Sequence, residues 1–136
     1  MRMNHQIWDP LRRKNVALTP EEQVRQWFIG VLRDSFKVPL HMMGSEVSFE
    51  FGNKPYRADI VVFSRSGSPL AVVECKRPEV KIDEKVVRQA MRYNAVLDVK
   101  FIFLTNGNNT YLYGRKGESF VPLDSVPTFE EMLCRQ

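Results

Sequence analysis

The chain has 136 residues, of which 26% are charged and 11% aromatic, and its formal net charge is +4. This length predicts a single domain with a real core, and the composition excludes a disordered chain. No stretch is apolar enough to span a membrane or act as a signal peptide, and no G-x-x-x-x-G-K-[ST] loop is present. The two cysteines lack framework spacing, so we expect a reducing, cytoplasmic environment. From the missing apolar stretch and the missing phosphate-binding loop we expect neither a membrane partner nor an ATP-driven motor.

The N-terminal part divides into two regions. Residues 1–18 are expected to be an irregular, polar lead-in, followed by one domain over residues 19–136. Thr19 is a plausible N-cap for a first helix, with Pro20 at the first helical position and Glu22 completing a capping box. Since Glu22 projects away from the apolar stripe of this helix, we expect it only to cap.

A second acidic residue of the first helix, Glu21, projects beside that apolar stripe. Two interpretations stay open. Its side chain could reach inward toward a site, or it could form an exposed pair with Arg25 one turn later. The stripe itself follows helical spacing at Val24, Trp27, Phe28, Val31 and Leu32.

Three strands should follow the first helix. The alternating residues 46–51 and the run 56–63 predict two strands around turn residues 52–55. The apolar run 70–73 predicts a third strand, which a clear turn at 64–69 joins to the second. Strands joined by a short turn pair side by side, so the second and third should be antiparallel neighbours.

Charged residues stand where these two strands meet. Side chains alternate along a strand, so Glu74 and Lys76 should point to one face and Cys75 to the other. Asp59 opens the apolar run of the second strand and should lie opposite the end of the third. Two carboxylates suit Mg²⁺, and a lysine beside them can orient or deprotonate a water. Taken alone, Glu74-x-Lys76 is also what a surface ion pair looks like.

A helix predicted over residues 83–97 leads to a strand over 100–105, which should run parallel to the third strand. Gln89 and Tyr93 lie one turn apart at the rim of its apolar arc, within reach of a water or phosphate. A basic group on the same helix could hold a nucleic-acid backbone beside these side chains: Lys85, Arg88 and Arg92. Boundary packing and a solvated basic face are the alternatives.

Short strands over residues 110–113 and 120–123 and a helix over 128–135 close the chain, with residues 114–117 expected as a turn. The fold class is therefore α/β, in the element order α-β-β-β-α-β plus C-terminal β/α extras. We expect an α/β sandwich, in which helices flank a central mixed sheet.

Four motifs carry a resemblance to a known family: Arg57-Ala58-Asp59-Ile60, Val73-Glu74-Cys75-Lys76-Arg77-Pro78, Arg88-Gln89-Ala90-Met91-Arg92-Tyr93-Asn94 and Leu104-Thr105-Asn106-Gly107. Together they resemble the N-terminal nuclease domain of type I restriction enzyme R subunits, within the PD-(D/E)xK nuclease superfamily. The resemblance runs from about residue 19 to residue 113. It implies a restriction-endonuclease-like fold.

The resemblance also implies roles for single residues. Asp59, Glu74 and Lys76 match the catalytic core motif, and Gln89 and Tyr93 match a Q-x-x-x-Y element. The implied cofactor is Mg²⁺, with Mn²⁺ as a substitute. The implied metal ligands are Asp59, Glu74, the backbone carbonyl of Cys75 and Glu21.

Two departures accompany the resemblance. Ala58 stands where a proline is usual, which affects structure and not chemistry. The R subunits join this domain to a translocating motor, for which this sequence carries no motif, so we expect a similarity to stand-alone, restriction-like domains.

The expected function is that of a metal-dependent DNA endonuclease, with Arg57 as a further candidate DNA contact beside the basic helix residues. Two alternatives stay open. One is a nucleic-acid-binding or partner-binding module that keeps the fold without turnover. The other is a structural domain that pairs with separate motor or restriction-modification subunits, or with itself as a homodimer.

Overall fold

A six-stranded sheet forms the centre of the molecule, in a computed structural model that describes residues 5–135 and, at residue 51, the backbone alone. Its strands, in their order across the sheet, are β3 (Met43–Phe51), β4 (Lys54–Phe63), β5 (Pro69–Cys75), β6 (Phe101–Thr105), β7 (Thr110–Lys116) and β8 (Ser119–Pro122). Neighbours in the sheet are antiparallel except for the parallel pair β5–β6, so the sheet is mixed, as predicted.

Helices cover both faces of this sheet. Helix α1 (Pro20–Asp34) and helix α3 (Phe129–Cys134) pack into one core cluster, together with Ile60 and Val73 of the central strands. Helix α2 (Glu84–Asn94) lies over the other face, where Val61 belongs to a second core cluster. None of the described helices is both long and apolar enough to cross a membrane. The predicted α/β sandwich is confirmed.

The lead-in predicted as irregular contains a β-hairpin. Strand β1 (Gln6–Asp9) pairs antiparallel with β2 (Lys14–Ala17), while residues 1–4 lie outside the described part. Asp9 organises the turn, since its carboxylate accepts hydrogen bonds from the backbone N–H of Leu11 (2.9 Å) and from the side chain of Arg12. Strands of four residues carry too little alternation to be read from sequence.

The turn predicted at residues 114–117 is also shorter than expected. Strand β7 continues through Gly114 to Lys116, and Gly114 pairs with Phe101 on one side and Val121 on the other. A Cβ at Gly114 would stand 3.1 Å from the side chain of Leu123. Gly114 therefore serves close packing within the sheet, and not a turn.

Candidate active site

The C-terminal end of β5 carries the first part of the site. Glu74 and Lys76 point the same way, and the Lys76 Nζ lies 3.3 Å from the Glu74 Oε2. Cys75 points to the opposite face and is buried in the core cluster beneath α1. The predicted alternation of these three side chains is confirmed. Both charged side chains stay partly open to solvent.

Asp59 meets the end of β5 as the hairpin predicted. The β4–β5 ladder has Ile60 opposite Val73, which puts Asp59 across from Glu74. Its carboxylate then accepts a hydrogen bond from the backbone N–H of Cys75, with 2.6 Å between Oδ2 and N. The two carboxylates therefore stand at one end of two neighbouring strands.

Burial perturbs the Asp59 carboxylate. Desolvation raises the pKa of Asp59 from 3.8 to about 6, against the hydrogen bond from Cys75 and the charge of Arg25, which lower it. The nearby charges of Glu21 and Glu46 contribute to this rise of the pKa. A buried carboxylate that has acidic neighbours lies in an environment that favours a bound cation.

An open cavity of about 440 Å³ adjoins the Glu74–Lys76 pair. Helix α2 supplies its other wall, and the lining is Glu74, Lys76, Val80, Val86, Gln89, Ala90 and Tyr93. Gln89 and Tyr93 thus overhang the same space as the charged pair of β5, as their helical spacing predicted. Asp59 stands beside this cavity and not in its wall, because its carboxylate is turned to Cys75 and Arg25.

The hydroxyl of Tyr93 has a partner that the sequence did not indicate. It accepts a hydrogen bond from the backbone N–H of Arg57, with an O–N distance of 2.9 Å. Its ring also packs against Tyr56, with 5.1 Å between the ring centroids. Tyr93 therefore ties α2 to β4 two residues before Asp59. Contact of this hydroxyl with a water or phosphate stays a prediction.

The candidate DNA contacts lie on the solvent side of the site. Lys85, Arg88 and Arg92 are exposed on α2, and the structure gives them no ion pair within residues 5–135. Arg57 is exposed too, but its Nε lies 3.1 Å from the Glu46 Oε2. The basic face of α2 therefore keeps its charge available to a ligand.

On the opposite side of Asp59, a network of ion pairs lies under α1. Arg25 is buried and pairs with Glu22, at 3.2 Å, with Glu46 and with Asp59. Glu22 in turn accepts a hydrogen bond from Arg12 at 2.6 Å. The network therefore reaches the N-terminal hairpin.

This network corrects the prediction that Glu22 only caps α1, and it disfavours one of the two open interpretations of Glu21. The Thr19 hydroxyl caps the helix by accepting from the Glu22 N–H, but the Glu22 side chain is buried among arginines and not on the cap. The ion pairs of Arg25 go to residues other than Glu21. A signal for the burial of Arg25 existed, since it stands three, four and seven residues before core positions of the same helix.

The donor set fits a divalent cation in its chemistry. Asp59 and Glu74 supply hard carboxylate oxygens at adjacent strand ends, which suits Mg²⁺ with several retained waters. Within the part of the chain described, no three Asp, Glu, His or Cys side chains gather as a ready metal cluster. Glu21 is therefore not drawn in beside Asp59 and Glu74 as a third carboxylate of such a cluster.

Comparisons with known proteins agree with one another. A family model described as "Type I restriction enzyme R protein N terminus" matches residues 20–127. A type I restriction enzyme EcoAI endonuclease subunit from Escherichia coli is 37% identical over 81 residues, which are 55% of this chain and 10% of that protein. The chain thus spans about a tenth of the length of this relative.

Two solved structures share the fold. One is described as an HsdR subunit fragment of a type I restriction enzyme from Vibrio vulnificus, with a TM-score of 0.65 and 23% identity over 88% of this chain and 25% of that one. The other is described as a nuclease from Anabaena variabilis, with a TM-score of 0.52 and 13% identity over 95% of this chain and 89% of that one. At these identities the likeness concerns the fold.

Proposed function

Since this chain belongs to the family of type I restriction enzyme R protein N-terminal domains, a nuclease-related family, we propose that it is a metal-dependent DNA endonuclease domain. The reaction is hydrolysis of a phosphodiester bond. The single observation that carries the proposal is that Asp59 and Glu74 lie at opposite positions in the register of two neighbouring strand ends, with Lys76 paired to Glu74.

Asp59, Glu74 and the Cys75 carbonyl would hold Mg²⁺ or Mn²⁺, and Glu21, whose charge raises the pKa of Asp59, is the remaining candidate ligand. When bound, the cation lowers the pKa of its water and offsets charge on the phosphate. Lys76, 3.3 Å from Glu74, would orient the attacking water and offset the charge that develops on the phosphate. Gln89 holds a phosphate oxygen or that water from across the cavity.

DNA is the proposed substrate, and the unpaired basic face of α2 is its proposed contact. Lys85, Arg88 and Arg92 lie on the same helix as Gln89, so a backbone bound by them passes the cavity. Contacts of this kind position a strand without reading its sequence. Other restriction-modification subunits are proposed partners, because this chain belongs to a family of type I restriction R-subunit domains.

The test is cleavage of supercoiled plasmid by the purified chain with Mg²⁺ or Mn²⁺. We expect nicking that Lys76→Ala and Asp59→Asn abolish. Matched controls are Lys116→Ala and Asp124→Asn, both at exposed positions outside the lining of the α2 cavity, and these should cut like the wild type. Cutting that persists in both site variants would contradict the proposal.

A binding module without turnover is the competing function, and the free basic face of α2 is the observation that favours it. It predicts DNA binding by a wild-type chain that neither cuts nor binds a divalent cation in calorimetry. Heat of Mn²⁺ binding that disappears in Asp59→Asn would exclude it.

A further inference from the structure

Glu46 has a backbone conformation that is unusual for its position. Its φ is +54°, and it lies inside β3, while the other two described non-glycine residues with positive φ, Arg13 and Lys37, lie in the hairpin turn and after α1. Ser45 pairs with Ile60 and Val47 pairs with Ala58, which leaves Glu46 across from Asp59. A left-handed conformation inside a strand persists where side-chain contacts hold it, and often marks a functional position.

Those contacts are two arginines. The Glu46 Oε1 accepts a hydrogen bond from the Nη2 of the buried Arg25 at 2.5 Å. The Glu46 Oε2 lies 3.1 Å from the Nε of Arg57. The same Nη2 of Arg25 stands 3.4 Å from the Asp59 Oδ1, at the outer limit of a hydrogen bond. Glu46 and Asp59 therefore share one nitrogen, and Glu46 holds it more closely.

This unequal sharing matters for a cation at Asp59. The Asp59 Oδ2 is already bound to the Cys75 N–H, so Oδ1 is the oxygen that stays available. A guanidinium bound closely to Oδ1 would neutralise the carboxylate and compete with a metal ion for it. Resting on the proposed function, we propose that Glu46 is a positioning residue that draws Arg25 away from Asp59 and keeps the Asp59 Oδ1 free for the divalent cation.

The test is Glu46→Gln, which keeps the size of the side chain and removes its charge. In a crystal structure of this variant without metal, the distance from the Arg25 Nη2 to the Asp59 Oδ1 should shorten from 3.4 Å. In calorimetry, the affinity for Mn²⁺ should fall at least about tenfold. The ion must first break the charge-assisted hydrogen bond that Arg25 then makes to Asp59, and one such bond corresponds to about that factor. Glu50→Gln, an exposed change on the same strand, should alter neither value.

Glu46→Gly separates this role from a structural one. Glycine accepts a positive φ without strain, so the backbone of β3 should keep its course in Glu46→Gly, while loss of the Arg25 partner lowers the melting temperature and Mn²⁺ affinity falls as in Glu46→Gln. A Glu46→Gln variant that keeps both the 3.4 Å distance and the wild-type affinity would overturn the role of Glu46 alone. A wild type without Mn²⁺ binding would instead overturn the proposed function.

Discussion

The two sides of the candidate site are built differently. On the α1 side, Glu22 and Arg25 are 6% and 4% exposed, and ion pairs join them to the hairpin and to Asp59. On the α2 side, Ala90 and Asn94 are the buried residues of the helix, while its basic residues face solvent. One side fixes charges in the interior, and the other presents them on the surface.

This contrast matches what each side has to do. A metal site needs carboxylates held in one geometry, and buried ion pairs with several partners provide that rigidity. A surface that accepts a polyanion needs exposed cations without competing internal partners. Changes of equal chemistry on the two sides should therefore have very unequal effects.

The largest effect is expected for Arg25→Met. It removes the cation that Glu22, Glu46 and Asp59 share and leaves the buried Glu22 carboxylate with one arginine in place of two, so the free energy of unfolding should fall by about 3–5 kcal/mol. The matched change on the open side, Arg88→Met, should alter it by no more than about 0.5 kcal/mol. Urea denaturation of both variants measures the two free energies of unfolding. Equal losses would contradict the proposed difference between the α1 side and the α2 side.

The next effect concerns Asp59 and pH. Its pKa is about 6 when folded against an ordinary 3.8, so the folded state holds this proton more tightly and stability is lost as pH rises through about 6. The loss is about 3 kcal/mol, at about 1.4 kcal/mol per pH unit. Asp59→Asn cannot ionise. It should therefore be the more stable protein at about pH 8, by up to that amount, and should match the wild type near pH 4.

Melting curves of both proteins at several pH values check this expectation. A stability difference that does not change with pH would show that the Asp59 charge is fully compensated in the folded state. Together with the loss of cleavage proposed for the same variant, the expected result would mark Asp59 as a residue that serves function at the expense of stability.

A smaller effect is expected for the basic face of α2. Replacing Lys85, Arg88 and Arg92 by glutamine should weaken DNA binding at low salt by about tenfold or more, and should lower the slope of log affinity against log salt by about 0.9 per lost phosphate contact. The fold should be unaffected, because these side chains are exposed. Anisotropy titrations over a salt series measure the slope, with Lys116→Gln as the control. An unchanged slope would show that these three side chains do not contact the phosphates and that DNA binds another surface.

The sequence predicted the parts of this site that local geometry determines. A short turn puts Asp59 opposite the end of β5, strand alternation separates Glu74 and Lys76 from Cys75, and helical phase brings Gln89 over the cavity. Each of these follows from a period or a turn within a few residues.

The α1 side escaped prediction because its partners are remote in sequence. A charge on a helix is usually solvated, and burial of Glu22 becomes favourable because Arg12 of the distant hairpin joins Arg25 and Gln26 as its partners. The position of Glu46 depends on a positive φ, which a sequence usually indicates by a glycine, and residue 46 is a glutamate. Contacts between distant segments, and not local pattern, built this half of the site.

The smallest effect on stability is expected for Tyr93, on the α2 side of the site. Tyr93→Phe removes the hydrogen bond to the Arg57 N–H and should lower the free energy of unfolding by about 0.5–1 kcal/mol, because water replaces part of the lost contact. Its local effect should be larger. Hydrogen exchange at the Arg57 amide should accelerate, while amides of α1 exchange at the wild-type rate. If cleavage is lost while Arg57 exchange is unchanged, the hydroxyl acts on the substrate. If both change together, Tyr93 acts by holding β4, and with it Asp59, against α2.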